Sequence, residues 1–322
     1  MKIQNTEKQR TEDVAVLRWA LAEKSHWKLR YYLALNYFAI NRNNDGVKLL
    51  IDCGNEPDYP TFYLTRPSLV KPTDDAKTLA DLEVAQKLAP NDWRVSWKLI
   101  QYYSDKKDYK KMLELTTAAY KKFKGNTTID VLHVKALINN GQYANSLKLL
   151  DVMTILPNEG AAEGKIIYEQ ASLLMAIDQI GKKKYSDAIK MIEKSKEWPE
   201  RLGVGKPYVV DTRIQDYLNI YCLNKMNKKD GIDALRNSIA GYSGRTQRGS
   251  YNQILTINVL RDMGKTSEAD ALISSLSESN SPINKWIVAA AKKDQAAMTA
   301  LEKDLGENVN FQIVKRALDA IK

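Results

Sequence analysis

Glycine and proline are scarce in this chain, and their shortage excludes the fold classes that depend on many turns. The 322 residues include 15 glycines and 9 prolines, below the roughly 7% and 5% of an average protein. All-β proteins need many turns, and turns use both residues. The composition therefore predicts long helices with few connections.

Histidine and cysteine are almost absent. The two histidines, His26 and His133, and the two cysteines, Cys53 and Cys222, lie far apart in the sequence. No His-x-x-x-His or Cys-x-x-Cys pair occurs, which excludes a zinc site of the usual spacing. Two isolated cysteines predict no disulfide framework, and free cysteine generally packs as a small apolar residue. We expect no metal, no cofactor and buried structural thiols.

Long apolar runs are also missing. No stretch approaches the roughly 20 apolar residues of a membrane span, and the polar start, Met1 to Arg10, does not resemble a signal peptide. We therefore expect no membrane span. A cytoplasmic location is favoured, and a periplasmic one stays open if the chain is a fragment of a longer protein.

The recognised catalytic motifs do not occur. Gly203-Val204-Gly205-Lys206 is followed by Pro207, whereas a phosphate-binding loop continues with Ser or Thr and opens a helix. Gly-x-Ser-x-Gly, the nucleophile elbow of many hydrolases, is absent. We predict no catalytic site and a protein that is not an enzyme.

What the sequence does contain is a repeat. An amphipathic helix, a short polar turn and a second helix recur, most clearly around Gly141, Tyr143 and Ser146. The second helix is expected to carry a small residue near its start, which lets the two helices approach closely. These positions are Gly46, Thr78, Met112, Ser146, Ala188, Ala234, Ala269 and Met298, at intervals of about 32, 34, 34, 42, 46, 35 and 29 residues.

The Gly-x-Tyr-x-x-small step resembles the tetratricopeptide (TPR) family, whose helix-turn-helix unit has a period of 34 residues. The helix ends Leu88-Ala89-Pro90, Leu156-Pro157 and Trp198-Pro199 are similar to that family. The resemblance implies an all-α, right-handed α-solenoid of stacked helix pairs that binds other proteins.

A second resemblance is closer. Trp27-Lys28-Leu29-Arg30-Tyr31-Tyr32-Leu33-Ala34, Gly54-Asn55-Glu56-Pro57-Asp58 and Arg201-Leu202-Gly203-Val204-Gly205-Lys206-Pro207-Tyr208 look like the C-terminal helical region of large Bacteroides-type proteins. Those proteins carry an N-terminal mutarotase-like β module of unknown function. The resemblance implies a helical appendage to a carbohydrate-associated module.

Two long intervals break the 34-residue rhythm and predict insertions, one at 157–164 and the other at 198–210. Insertions in a solenoid often lie on the binding face. We expect an N-terminal cap helix at 1–24, repeats at 25–198, an inter-repeat loop at 199–210, and repeats with a C-terminal cap helix at 211–322.

Three groups of residues are candidates for partner binding. The second insertion offers Lys206 and Tyr208, and Asp211 is expected to cap the next helix, which leaves Arg213 to pair with a partner's carboxylate. Lysines recur at the predicted turns and favour a basic edge, although helix-dipole preference and solubility also place lysine there. The third group is aromatic. The candidates are Lys206, Tyr208, Arg213, Lys182, Lys183, Lys184, Tyr102 and Trp97.

These features favour a non-catalytic scaffold for protein–protein interaction. The partner would be a protein or peptide, or the N-terminal module of the same longer polypeptide. The alternative is the helical part of a carbohydrate-associated protein that contributes to a sugar site. The net charge of +10 is compatible with nucleic acid or acidic partners, although a charge bias of this size more often marks a solvated surface. Nucleic acid is not favoured as the partner.

Overall fold

The computed structural model describes residues 2–71, 75–157, 162–243, 250–306 and 308–321. Over these ranges the regular elements are eighteen α-helices and one short 3-10 helix, with no strand, so the all-α prediction is confirmed. None of the described helices is long and apolar enough to cross a membrane. Part of the first predicted insertion, residues 158–161, lies outside the described residues.

The helices are numbered in chain order. They are α1 (Lys2–Glu23), α2 (Trp27–Ala39), α3 (Asn43–Asp52), α4 (Pro60–Val70), α5 (Asp75–Leu88), α6 (Trp93–Asp105), α7 (Tyr109–Lys122), α8 (Thr127–Asn139), α9 (Tyr143–Leu150), α10 (Glu163–Gly181), α11 (Tyr185–Lys196), α12 (Arg213–Lys225), α13 (Ile232–Ala240), α14 (Gln253–Asp262), α15 (Thr266–Ser277), α16 (Pro282–Ala291), α17 (Gln295–Leu305) and α18 (Val309–Ala320). The 3-10 helix is Glu200–Leu202.

The chain divides into two units, Met1–Ala136 and Leu137–Lys322, with the boundary inside α8. In the first unit α2 packs on α3, α4 on α5, and α6 on α7. In the second unit the pairs are α10 with α11, α12 with α13, α14 with α15, and α16 with α17. Consecutive packed helices joined by a short turn run antiparallel, so each unit is built from stacked helical hairpins as the sequence repeat predicts.

The turns share one backbone geometry. Over the described ranges, seven of them place a residue in the left-handed region, and these residues are Asn41, Lys107, Gly141, Lys183, Asn227, Gly264 and Lys293. The next residue then donates its N–H to the carbonyl five positions earlier, as from Gln142 to Leu137 at 2.8 Å and from Lys184 to Gln179 at 2.9 Å. This Schellman arrangement satisfies carbonyls at the helix end. The same turn geometry therefore recurs from one helical hairpin to the next.

The residue five positions after the left-handed one lies between the two helices. Met112, Ser146, Ala188 and Ala269 occupy this place and are 0–1% exposed. Gly46 is buried there too, and Met298 is half-buried.

The prediction that Ala234 occupies the same place is wrong. Ala234 is exposed, and Ile232, five residues after Asn227, is 4% exposed. The reason is a longer turn: α13 begins five residues after Asn227, whereas α11 begins two residues after Lys183. Thr78 is half-buried, and the turn before it lies outside the described residues.

Replacement of Ala188 with phenylalanine is expected to lower the free energy of unfolding by about 1–3 kcal/mol, since a ring has no room between α10 and α11. Urea denaturation followed by circular dichroism measures the change. The matched control is Ala234→Phe on the exposed face of α13, which should stay within about 0.5 kcal/mol of the parent. Equal losses in both variants would contradict the assignment of Ala188.

The C-terminal helix α18 also packs against helices that lie far from it in the sequence. Predicted as an end cap, it contacts α10 and α12, and its Phe311 ring lies 5.0 Å from Trp286 of α16 and 5.4 Å from Tyr251. Phe311, Ile313, Val314 and Ala317 are all buried. Helix α18 is therefore part of the core of the second unit and contributes to the cavity described next.

Candidate functional site

The second unit contains a cavity of about 660 Å³, within the usual size range of small-ligand sites. Its walls come from α10, the starts of α12 and α18, Ile283 of α16, and the segments at Trp198–Val204 and 250–252. The lining residues are Ala162, Lys165, Ile166, Glu169, Gln170, Leu173, Trp198, Val204, Asp211, Ile214, Ser250, Tyr251, Asn252, Ile283, Asn308, Val309, Asn310, Ile313 and Val314. Side chains far apart in sequence thus converge on one space.

Lys165 forms one wall together with Trp198. The ammonium group of Lys165, which is 5% exposed, donates to the carbonyl of Ser195 at 2.6 Å and pairs with Glu169 at 3.0 Å. It also lies 4.8 Å from the centre of the Trp198 ring. The Trp198 indole N–H donates to the carbonyl of Val204 at 2.7 Å. Burial of a charge is costly unless it is paired. These contacts pair the positive charge of Lys165 and offset the cost of its burial.

Arg213 begins α12 between the lining residues Asp211 and Ile214, and its predicted role in binding a partner is wrong. It is 1% exposed, and its side chain carries five N–H donors. Two donate to Asp211, at 2.9 and 2.7 Å. The others donate to Gln253 at 3.0 Å, Thr256 at 3.1 Å and Ser250 at 2.9 Å. With every donor used inside the unit, Arg213 has none left for an external carboxylate.

Asp211 has the capping role that the sequence predicts. Its carboxylate accepts from the backbone N–H of Arg213 at 3.1 Å and from the Asn252 amide at 3.1 Å. Burial by itself raises the pKa of Asp211, but the Arg213 guanidinium and the Asn252 amide outweigh that effect, so the pKa lies below its ordinary value. The carboxylate is therefore charged and internally paired.

The two predicted insertions pack against each other. The N–H of Ile155 donates to the carbonyl of Arg201 at 2.8 Å. A Cβ atom added to Gly203 would lie 2.5 Å from the carbonyl oxygen of Ile155, and one added to Gly164 would lie 2.3 Å from that of Leu202. Leu202 is 1% exposed. The first half of the 199–210 loop is therefore packed structure.

The second half of that loop is exposed. Lys206 is exposed, the Tyr208 side chain is fully exposed, and Val209 is 62% exposed. Lys206 and Tyr208 thus lie on the surface as predicted, whereas Arg213, predicted beside them, is buried. Their role in binding stays a prediction.

Replacement of Lys206 and Tyr208 together with alanine is expected to leave the free energy of unfolding within about 0.5 kcal/mol of the parent, since both are exposed. The urea midpoint measures this. If the loop tip binds a partner, the double variant loses capture of that partner. A midpoint that falls clearly, with capture unchanged, would instead assign the tip a structural role.

The turn lysines lie where the sequence places them. Lys182, Lys183 and Lys184 are exposed between α10 and α11, and Lys182 pairs with Asp178 at 2.6 Å. Lys183 occupies the left-handed position with φ of 58°. Exposed pairs of this kind contribute little to stability. The three lysine side chains are exposed and therefore accessible to an acidic partner.

The aromatic candidates are half-buried in the first unit. Trp97 packs against the cluster around Ile100, Met112 and Ile129. Tyr102 packs in the neighbouring cluster, with its ring centre 5.2 Å from that of Tyr103. Packing accounts for both contacts, and a role in binding stays a prediction.

Histidine and cysteine are structural here. His133 is 8% exposed and stacks on Tyr120 with ring centres 4.9 Å apart; burial lowers its pKa. Both cysteines are free and buried, which confirms the predicted packed thiols. No cluster of metal-ligating side chains occurs among the described residues.

Neither thiol is expected to react in the native state. Cys53 and Cys222 are 0% exposed, and burial raises the pKa of Cys222 to about 11, while thiol reagents attack the thiolate. Ellman's reagent should therefore titrate no thiol at pH 7.5 and two in denaturant. Prompt reaction of the native chain would contradict the burial of the reacting cysteine.

No pattern in the sequence predicts the cavity or its lining residues Lys165 and Gln170. Lys165 belongs to a helix that reads as an ordinary repeat, and its partners Ser195 and Trp198 lie about thirty residues later. A buried lysine cannot be recognised from spacing alone. The one available signal was the irregular interval that follows Ser146, because inserted segments often carry function.

Comparison with known proteins gives structural likenesses only. No known protein family matches the sequence, and no curated protein matches it. The yeast Tom70 crystal structure superposes with a TM-score of 0.41 at 13% identity, over 96% of this chain and 62% of that one. The TPR domain of P58(IPK) superposes with a TM-score of 0.27 at 12% identity, over 95% of this chain and 97% of that one.

Proposed function

We propose that this chain is a non-catalytic scaffold that holds a segment of a partner protein or an adjacent domain of a longer polypeptide. The cavity of about 660 Å³ in the second unit carries the proposal. Its walls come from segments between Ala162 and Val314, which the stacked hairpins hold in place. Rigid elements that bring distant side chains together are suited to recognition.

The charges around the cavity support binding without turnover. Lys165 is paired with Glu169, and Asp211 is paired with Arg213. Charged groups used in acid–base catalysis need access to the reacting atoms and a pKa near the working pH. Here the charged groups are engaged in internal pairs that stabilise the walls.

Selection from a phage-displayed library of random peptides tests this function. The immobilised chain is expected to enrich peptides with a shared motif, and synthetic copies of that motif should bind in solution. Selection on the empty support is the control. If no motif is enriched while a glycan array shows saturable binding, the scaffold proposal is overturned in favour of a carbohydrate-associated role.

A further inference from the structure

The exposed apolar side chains of the second unit are confined to one part of its sequence. Over the described residues of this unit, the large apolar side chains that are exposed are Val152, Leu156, Ile166, Tyr208 and Val209. All five lie within or close in sequence to the two insertions, at 157–164 and 198–210. Single exposed apolar residues need no explanation, whereas a group of them marks an interaction surface.

The residues before the first insertion lie against the second one. A Cβ atom added to Gly203 would lie 3.1 Å from the backbone carbonyl carbon of Leu156. Arg201 pairs with Asp151, the residue before Val152, at 3.4 Å. Val152 and Leu156, which are 77% and 78% exposed, therefore extend the surface of the second insertion.

The exposed end of the second insertion is anchored on both sides. The indole N–H of Trp198 donates to the carbonyl of Val204 at 2.7 Å, and the hydroxyl of Tyr242 donates to the carbonyl of Val210 at 3.4 Å. Between these two anchors the Tyr208 side chain is fully exposed. An aromatic side chain on an anchored loop loses little conformational freedom on binding, and such side chains dominate the energetics of many interfaces.

Unpaired charges of both signs lie on the same insertion. Glu200 and Lys206 are exposed, and neither is paired with another described residue. Their neighbour Arg201, by contrast, is paired with Asp151. In a contact between two copies related by a twofold axis, a residue i of one copy meets residue j of the other, and j meets i. A surface with one unpaired cation and one unpaired anion can therefore pair with itself at two places.

We propose that two copies of this chain associate through an insertion surface made of Val152, Leu156, Glu200, Lys206, Tyr208 and Val209. Lys206 of one copy pairs with Glu200 of the other, and the apolar side chains of the two copies pack together. The contact combines an apolar centre with charges that set the register, as interfaces generally do. It goes beyond the proposed scaffold function and does not depend on it.

Other occupants fit this surface less well. A strongly acidic or strongly basic partner would meet one opposite and one like charge at Lys206 and Glu200, and a like-charge contact opposes binding. An anionic membrane would attract Lys206 but repel Glu200. A second copy supplies both signs in equal number.

Sedimentation velocity over a concentration series tests the association. The parent is expected to sediment as a monomer at low concentration and as a dimer at high concentration. Tyr208→Asp and Leu156→Asp each place a charge within the contact, and each should weaken dimerisation about tenfold or more. Leu88→Asp, at a leucine of the first unit that is 42% exposed, is the matched control and should dimerise as the parent does. Urea midpoints establish that all variants are folded.

Reversal of the two charges tests whether the partner is a second copy. Lys206→Glu alone and Glu200→Lys alone each create like-charge contacts at both places, so each should weaken dimerisation about tenfold or more. An equimolar mixture of these two variants should restore it, because a mixed dimer again pairs opposite charges at both places.

Three results would contradict the proposal. A parent that stays monomeric throughout the series would overturn the association itself. A dimer that forms equally well in Tyr208→Asp and Leu156→Asp would overturn this surface as the contact, and charge variants that stay weakened when mixed would overturn the twofold pairing. Peptide selection is independent of these measurements, so failure of the dimer leaves the scaffold function standing, and failure of the selection leaves the dimer standing.

Discussion

Replacement of Arg213 with alanine is expected to lower the free energy of unfolding by about 3–5 kcal/mol, the range found when one partner of a buried ion pair is removed. The change leaves Asp211 without its counter-charge. The side-chain oxygens of Gln253 and Ser250 also lose the hydrogen bonds that Arg213 donates to them. It also removes the guanidinium that lies 4.4 Å from the centre of the Tyr242 ring. Urea denaturation at pH 7 measures the loss.

Arg236→Ala is the matched control. Arg236 pairs with Asp233, whose side chain is 92% exposed, and such a surface pair contributes about 0–1 kcal/mol. A loss for Arg213→Ala no larger than that of the control would contradict the internal role assigned to Arg213.

The effect of the Arg213 substitution should depend on pH in a defined direction. In the folded parent the pKa of Asp211 lies below its ordinary value of 3.8. The pair therefore contributes fully above about pH 4, and its contribution is lost as the pH falls through the folded-state pKa. The difference between parent and variant should be constant near neutrality and shrink below pH 4.

Replacement of Gly203 with alanine is expected to lower the free energy of unfolding by roughly 2–5 kcal/mol. Gly203 has φ of 70°, where a residue with a Cβ atom costs about 1–2 kcal/mol. The added carbon would also lie 2.5 Å from the carbonyl oxygen of Ile155, and overpacking adds about 1–3 kcal/mol. Both effects destabilise the folded state, so their costs add. The overpacking arises because the two insertions meet at this glycine.

Gly205→Ala, two residues later in the same loop, is the control. An added Cβ at Gly205 meets nothing within 4 Å, so stability should be unchanged or slightly higher. Urea midpoints of the two variants give the comparison. Equal midpoints would contradict the close contact between the insertions.

The sequence predicts best those features that depend on interactions between neighbouring residues, which here are the helices, the turns and the buried position after each turn. A helix, a left-handed turn residue and a second helix are encoded within 24 to 34 neighbouring residues, and the burial of Ala188 and Ala269 follows from that spacing. The same reasoning failed at Ala234, because the turn after Asn227 is three residues longer. A repeat position is reliable only while the turn length is constant.

The binding candidates illustrate the limit of reasoning from local spacing. Arg213 follows an exposed loop and begins a helix, so its neighbours in sequence suggested exposure. Its partners Ser250, Gln253 and Thr256 lie about forty residues later, and no local pattern predicts such a contact. Lys206 and Tyr208, whose surroundings are local, lie on the surface as expected.

The sequence by itself determined the helical class, the hairpin repeat, the turn lysines and the buried thiols, because periodicity and turn chemistry act over a few residues. Only the tertiary structure decided that Gly164 and Gly203 join the two insertions, that α18 packs on α10, and that Gln170 lines a cavity. These features depend on contacts between residues far apart in the chain. Such contacts are fixed by how the helices pack, which the spacing of apolar residues within one helix does not specify.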